Sequence, residues 1–253
     1  DYTGAVTLTA AWTAERYAIT YEGMDGAQYG DKHPDWYAYD TDAVISDPTK
    51  AGYTFLGWRV NGESTARKDL TLRKETYLDN ITLTATWEQN PYKITWNVNE
   101  GDELTGEGYT VEAFYGNPIT APSDPTRRGY TFGGWYTDGS NFAEHTKFKT
   151  GDKMPEGDVT YYAKWTLIQY SITYNLNGGT NHAENPAEYN VSSEKITLLE
   201  PSKTGYRFDG WYTDDTYSTK VTEIATGKTG HAVLYAKWTV NQYTITWVTN
   251  GGN

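Results

Sequence analysis

The chain has 253 residues with 33 acidic and 21 basic side chains, a formal net charge of −12, no cysteine, 37% hydrophobic and 15% aromatic residues. The acid excess argues against nucleic-acid binding, which rests on clustered Lys and Arg. The missing thiols exclude disulfides, thiolate metal sites and a cysteine nucleophile. No apolar run approaches the roughly 18–20 residues that span a bilayer, so no membrane insertion is expected in this segment. Ten Trp and 23 Tyr are too many for a disordered acidic chain.

From the N-terminus, Val6–Trp12 alternates apolar and polar residues and ends in Trp, and Tyr17-Ala-Ile-Thr-Tyr21 begins a second alternating run. This start recurs as Tyr92-Lys-Ile-Thr-Trp96, Tyr170-Ser-Ile-Thr-Tyr174 and Tyr243-Thr-Ile-Thr-Trp247, at intervals of 75, 78 and 73 residues. A composite Pro-[Thr/Ser]-[Lys/Arg]-x-Gly-Tyr-x-Phe-x-Gly-Trp occupies 48–58, 125–135 and 201–211. Runs ending in Trp close each period at Trp87, Trp165 and Trp238. Landmarks keeping one period define a repeat. The sequence therefore predicts module 1 at 17–87, module 2 at 92–165 and module 3 at 170–238. Residues 1–12 read as the last strand of a preceding module, and 243–253 as the first strand of a following one. Only four residues separate a closing Trp from the next opening Tyr, and these lack the Gly/Ser content of a flexible linker. Restricted orientation between modules is expected.

Within each module, period-two alternation with β-branched and aromatic residues predicts strands with one buried face. In the opening run Tyr17, Ile19 and Tyr21 share a face; in the closing run Val159, Tyr161, Ala163 and Trp165 do. Asn177-Gly178 reads as a tight turn, since both residues tolerate positive φ. Gly210 reads as a bulge or a close approach, and 219–227 as one helical turn or an irregular strand. The fold class expected is mostly β (α+β). Trp58, Trp87, Trp135, Trp165, Trp211 and Trp238 are assigned to the repeat core, because modules of about 70 residues sit near the lower limit for independent folding and need large apolar side chains. The outward set Tyr136, Tyr162, Tyr212 and Tyr235 supplies the candidates for ligand stacking. Module 1 has Arg59 and Thr84 at those positions.

These residues resemble a known family. Pro201–Asp214 followed by Leu234-Tyr-Ala-Lys-Trp238, with Tyr170-Ser-Ile-Thr-Tyr-Asn-Leu-Asn-Gly-Gly179, is similar to the Listeria–Bacteroides repeat, the B-repeat type of the internalins. Module 2 matches nearly as well; module 1 departs at Trp58-Arg-Val-Asn-Gly and Ala85-Thr-Trp87. The resemblance implies small β-grasp-like modules, mostly strand, in tandem in Gram-positive surface or secreted proteins. There they act as a stalk or spacer, with adhesion to a glycan or host surface protein as the alternative. The short connections of this chain predict that its modules are arranged as an elongated rod. The implied location is extracellular, and the implied partners are neighbouring modules of the same chain. The family supplies no catalytic residues to carry over.

Other chemistry finds little footing. His33, His145, His182 and His231 lack metal-ligand spacing. Glu100, Asp102, Glu103 and Glu107 lack the ordered oxygen spacing of a calcium loop. Asp138, Asp214 and Asp215 read as turn caps. Lys164 and Lys237 could enter an isopeptide crosslink, but module 1 carries Thr86 at that position. No nucleophile elbow, phosphate loop or zinc-protease motif occurs. No enzyme activity, metal or cofactor is expected.

Overall fold

A computed structural model describes residues 4–102, 110–248 and 250–251. Module 1 is built on four main strands: an opening strand Arg16–Glu22, a second strand Trp36–Ala38, a third strand Tyr53–Val60 and a closing strand Ile81–Gln89. Their order in the sheet is second, opening, closing, third. Opening and closing strands run parallel, with Ile19 opposite Ile81, and the outer pairs are antiparallel. A parallel pair needs a long crossover, and everything between the two strands supplies it. The same order recurs for Pro91–Asn97, Thr110–Phe114, Tyr130–Tyr136 and Val159–Leu167, and for Tyr170–Asn175, Glu188–Tyr189, Tyr206–Tyr212 and Ala232–Val240. The helical turn considered for 219–227 is instead two short strands, Lys220–Val221 and Glu223–Ile224. Among the described residues the single helical element is the 3-10 turn Glu144–Thr146.

The Phe-x-Gly-Trp spacing has a structural cause. Phe and Trp stand three residues apart, which should put them on opposite faces of a regular strand. A bulge intervenes: Phe55 faces Trp87 and Trp58 faces Ala85, so the third strand advances three residues while the closing strand advances two. Phe132/Trp135 and Phe208/Trp211 do likewise against Trp165/Ala163 and Trp238/Ala236. The extra residue is accommodated at Gly57, Gly134 and Gly210, whose φ angles of 138°, 111° and 141° are unfavourable for side-chain-bearing residues. Each module thereby gathers Phe and two Trp rings, with the Phe 5.1–5.6 Å from each indole.

By contacts the chain forms two compact units. One comprises Asp1–Asn97, Thr105–Pro122 and Phe148–Tyr161, the other Val98–Leu104, Ser123–Lys147 and Tyr162–Asn253. The first buries the module 1 cluster around Ile19, Trp58, Val60, Leu72 and Leu83, together with Ile94, Trp96, Ile119, Met154 and Tyr161. In it Trp96 stacks on Tyr161 at 4.8 Å. The second buries the module 3 cluster around Ile172, Tyr189, Trp211, Leu234 and Ala236, together with Trp135, Tyr136 and Ala163. The strands read at 1–12 and 243–253 do not form over the described residues 4–12 and 241–248. A strand exists only with a ladder partner, and these segments have none among the described residues, leaving Leu8, Trp12, Tyr243 and Trp247 exposed.

Two equivalent tyrosines make stability pH-dependent. Tyr21 donates its hydroxyl hydrogen to Pro34 O at 3.0 Å, and Tyr174 does the same to Pro186 O. Each packs against the core Trp of its own module, Trp58 and Trp211. Burial disfavours the phenolate and pushes both groups from 10.0 up to about 12. Between those values the folded state holds a proton that the unfolded chain releases. The stabilisation is therefore complete below pH 10 and lost as pH rises through about 12. The double substitution Tyr21→Phe/Tyr174→Phe is expected to flatten the alkaline limb of stability measured by urea unfolding. An unchanged limb would place the titration elsewhere.

Candidate functional site

The six recurrent tryptophans fall into two groups. Trp58, Trp135 and Trp211 are buried, each 3% exposed or less. Trp87, Trp165 and Trp238 are half-buried at the edge of the core. Their Nε1 groups donate to Gly23 O, Val98 O and Leu176 O, each at 2.9 Å. Each closing Trp thus ties its strand to the turn that follows the opening strand. The turn is shaped for it: a Cβ on Gly179 would lie 2.6 Å from Trp238 Cζ2, and one on Gly101 would lie 2.5 Å from Trp165 Cζ2. Asn177 and Gly178 both have positive φ and close the turn through Gly179 N to Leu176 O at 3.0 Å. Asn177 Nδ2 also donates to Ala236 O, as Asn99 Nδ2 does to Ala163 O.

The candidate stacking tyrosines are brought together in pairs. Tyr136 lies opposite Tyr162, and Tyr212 opposite Tyr235, across the third and closing strands. Arg59 and Thr84 form the corresponding pair in module 1. Tyr136 is not outward-facing as parity predicts: it is 2% exposed. The residues after it fold back over it, Thr137 N bonding to Thr146 O and Phe142 meeting the ring edge-on at 5.7 Å. Lys147 and Lys164 ammonium groups lie 5.7 and 5.2 Å from the ring centre. Tyr162, Tyr212 and Tyr235 are half-buried. Tyr212 is met edge-on by Tyr217 at 5.5 Å, and Lys237 lies 5.4 and 5.5 Å from these two rings. The two closing-strand lysines considered for crosslinking therefore serve as cations on their own module's aromatics.

The remaining polar candidates have local roles. Asp138 Oδ1 accepts from Ser140 N and Asn141 N, and these amides hold its carboxyl below the usual carboxylate range. Asp214 caps the amides of Ser218 and Thr219 and accepts from Thr216 and Ser218 hydroxyls, with a larger shift in the same direction. Glu100 pairs with Arg127, and Asp102 accepts from Thr126 Oγ1; Glu103 and Glu107 lie outside the described residues. No group of three or more acidic or His side chains suited to a metal occurs among the described residues. His33 stacks on Tyr29, and His182 Nδ1 accepts from Glu184 N.

Three recurrent features carry no chemical motif. The basic residue of each composite motif covers the following Tyr: Lys50 over Tyr53 at 4.4 Å, Arg127 over Tyr130 at 4.0 Å, Lys203 over Tyr206 at 4.2 Å. The residue before each closing strand locks the opening strand's register. Asn80 and Asp158 accept from Ala18 N and Lys93 N at 2.8 Å, and His231 Nδ1 from Ser171 N at 3.1 Å. Finally, the carbonyl of the Gly-Tyr glycine binds the chain leaving the module. Asn90 N bonds to Gly52 O, Ile168 N to Gly129 O and Asn241 N to Gly205 O, at 2.9–3.0 Å. The spacing of [Lys/Arg]-x-Gly-Tyr was visible in sequence. The register lock was not, because Asn, Asp and His share only an acceptor atom.

The profile of the Listeria–Bacteroides repeat domain matches residues 17–86, 92–164 and 170–237. The chain belongs to that family. Internalin H of Listeria monocytogenes is 36% identical over 148 residues, which is 55% of this chain and 24% of internalin H. Two proteins of Evansella cellulosilytica carry names of membrane proteins, one of them described as Gly-rich. They are 35% and 32% identical over 99% and 95% of this chain, which spans 28% and 34% of their lengths. In this Listeria–Bacteroides repeat chain, no helix among the described residues is long and apolar enough to cross a membrane. What the matches establish is a Listeria–Bacteroides repeat segment similar to part of internalin H.

Proposed function

We propose that this segment is a stalk of β-grasp-like modules that holds a functional domain away from a bacterial surface and carries out no catalysis itself. The observation that carries the reading is the fastening of the linkers. Residues 88–91 lie inside the first compact unit and 166–169 inside the second. Each is pinned by an amide to the preceding module's glycine carbonyl. A connection bonded in this way transmits orientation, which a projecting spacer requires and a flexible tether does not. The strand order second–opening–closing–third, with first and last strands adjacent, supports the β-grasp-like description. The internalin likeness and the cysteine-free, acidic composition support an extracellular placement.

Adhesion to a glycan or host surface protein through the tyrosine pairs draws less support, because Tyr136 and Tyr212 are already contacted by aromatic and lysine side chains of their own module. X-ray scattering of the full chain distinguishes a rod from a globule. Three modules of roughly 28 Å end to end give a radius of gyration of about 26 Å, against about 18 Å for one compact body of this length. A value near 18 Å would overturn the stalk. Glycan binding by the full chain that is lost in Tyr212→Ala with unchanged folding would replace it with adhesion.

A further inference from the structure

The joints between modules have a socket and a plug. At the first joint, a Cβ placed on Gly52 would lie 2.2–2.4 Å from the Tyr115 side chain, so the glycine leaves the space that this residue fills. Gln89 Nε2 adds a hydrogen bond to Tyr115 O at 3.1 Å. At the second joint, a Cβ on Gly129 would lie 2.5 Å from Val191 Cβ, and Tyr130 Oη and Ser192 Oγ are 3.3 Å apart. Asn190 Nδ2 reaches back to Gln169 Oε1 at 3.2 Å. Tyr115 and Val191 hold one position in the repeat. The opening tyrosines Tyr92 and Tyr170 pair with Ala113 and Tyr189, and each plug lies two residues beyond that partner.

Module 3 carries the socket without a plug. Gly205 has the same left-handed backbone as its counterparts, φ 80° against 73° and 81°. Its carbonyl already holds Asn241 N, the bond that precedes a module at both other joints. Yet among the described residues nothing lies within 4 Å of where its Cβ would be, and Tyr206 is exposed. Module 1 carries the converse feature. Tyr17 pairs with Tyr37, so the plug position is Tyr39, and this ring is exposed.

We infer that the surface around Gly205 and Tyr206 is a docking socket for another module of this same kind. Its occupant is an uncharged aliphatic or aromatic side chain two residues past the partner of that module's opening tyrosine. Tyr39 is the matching plug for a socket of the same type. The glycine sets the approach distance, the basic residue before it orients the tyrosine beside it, and the bonded linker fixes the register. This inference rests on the two occupied joints and is independent of the stalk reading.

The experiment extends the full chain after Gln242 with a copy of residues 170–242. Nuclear Overhauser contacts are then recorded between glycine α-protons and valine methyls. A cross-peak from Gly205 to the copy's plug valine is expected beside the Gly129–Val191 cross-peak, which serves as the internal standard. The Gly205 contact should disappear when Val191→Asp is made in the copy alone, while the copy's core resonances persist. A folded fourth module with the Gly129 cross-peak present and the Gly205 cross-peak absent overturns the inference. Should that copy fail to fold, a copy of residues 92–169 presents the Tyr115 plug to the same socket, and a cross-peak from the Gly205 α-protons to its ring protons, read against the Gly52–Tyr115 cross-peak, decides the question.

Discussion

Trp211→Ala is expected to unfold module 3 while leaving the module 1 core folded. Trp211 is 2% exposed, meets Tyr174 and Phe208 at 5.2 and 5.5 Å, and donates its indole hydrogen to Leu199 O at 3.0 Å. Truncating a buried Trp costs about 3–5 kcal/mol, and the indole hydrogen bond is lost as well, leaving Leu199 O only its bond from Asn185 Nδ2 at 2.9 Å. A module of about 70 residues has only roughly 3.5–10 kcal/mol of stability in total. The loss is therefore comparable with the whole. Hydrogen exchange on the full chain should show amides of Ile172 and Leu234 losing protection by about 100-fold or more. Those of Ile19 and Leu83 belong to a separate buried cluster and should be unchanged. Loss of protection throughout the chain would show that the modules do not unfold separately.

Most of the fold was legible because the strands obey short-range rules. The closing strands bury Ile81, Leu83, Ala85 and Ala232, Leu234, Ala236, as alternation requires. Asn177-Gly178 turns as its φ preferences dictate, and Gly210 makes the bulge that a lone strand glycine suggests. What stayed hidden depends on contacts between residues distant in sequence. Tyr136 lies on the face opposite Trp135, yet Phe142 and two lysines cover it; alternation along a strand says nothing about a loop that folds back. The joint was hidden for the same reason. Gly52 and Gly129 lie in turns, and turn geometry alone accounts for their positive φ. Their second role, leaving room for Tyr115 and Val191, is set some 60 residues further on.

The recurrent basic residue shows how one motif serves several ends. Lys203 lies over Tyr206, and its Nζ donates to Asn177 O at 2.7 Å. It thereby connects the Gly-Tyr turn to the Asn-Gly turn that receives the Trp238 indole through Leu176 O. Arg127 does comparable work by pairing with Glu100 while covering Tyr130. The exposed pair contributes little alone. Its value is geometric, since it holds two turns of one module at a fixed separation beside the joint.

The bulge glycines separate backbone strain from steric conflict, and Gly57→Ala should be far more damaging than Gly210→Ala. Both residues have φ near 140°, so an alanine at either costs about 1–3 kcal/mol of strain. Their surroundings differ. A Cβ on Gly57 would lie 2.6 Å from Arg67 N and 2.7 Å from Arg67 C. That backbone cannot withdraw, because Trp58 N bonds to Arg67 O and Arg67 N to Trp58 O at 2.8 and 2.9 Å. Overpacking of this kind adds roughly 1–3 kcal/mol, giving a total of about 2–6 kcal/mol. At Gly210 the conflict is with Lys220 Cε at 2.2 Å, the far end of a flexible side chain. Lys220 can swing away at the cost of an exposed hydrogen bond to Asp209 O. Gly210→Ala should therefore cost little more than the strain, about 1–3 kcal/mol. Urea unfolding of the two full-length variants, resolved by hydrogen exchange in the affected module, measures the difference. Equal losses would mean that the bulge is governed by φ alone and that the Trp58–Arg67 bridge yields.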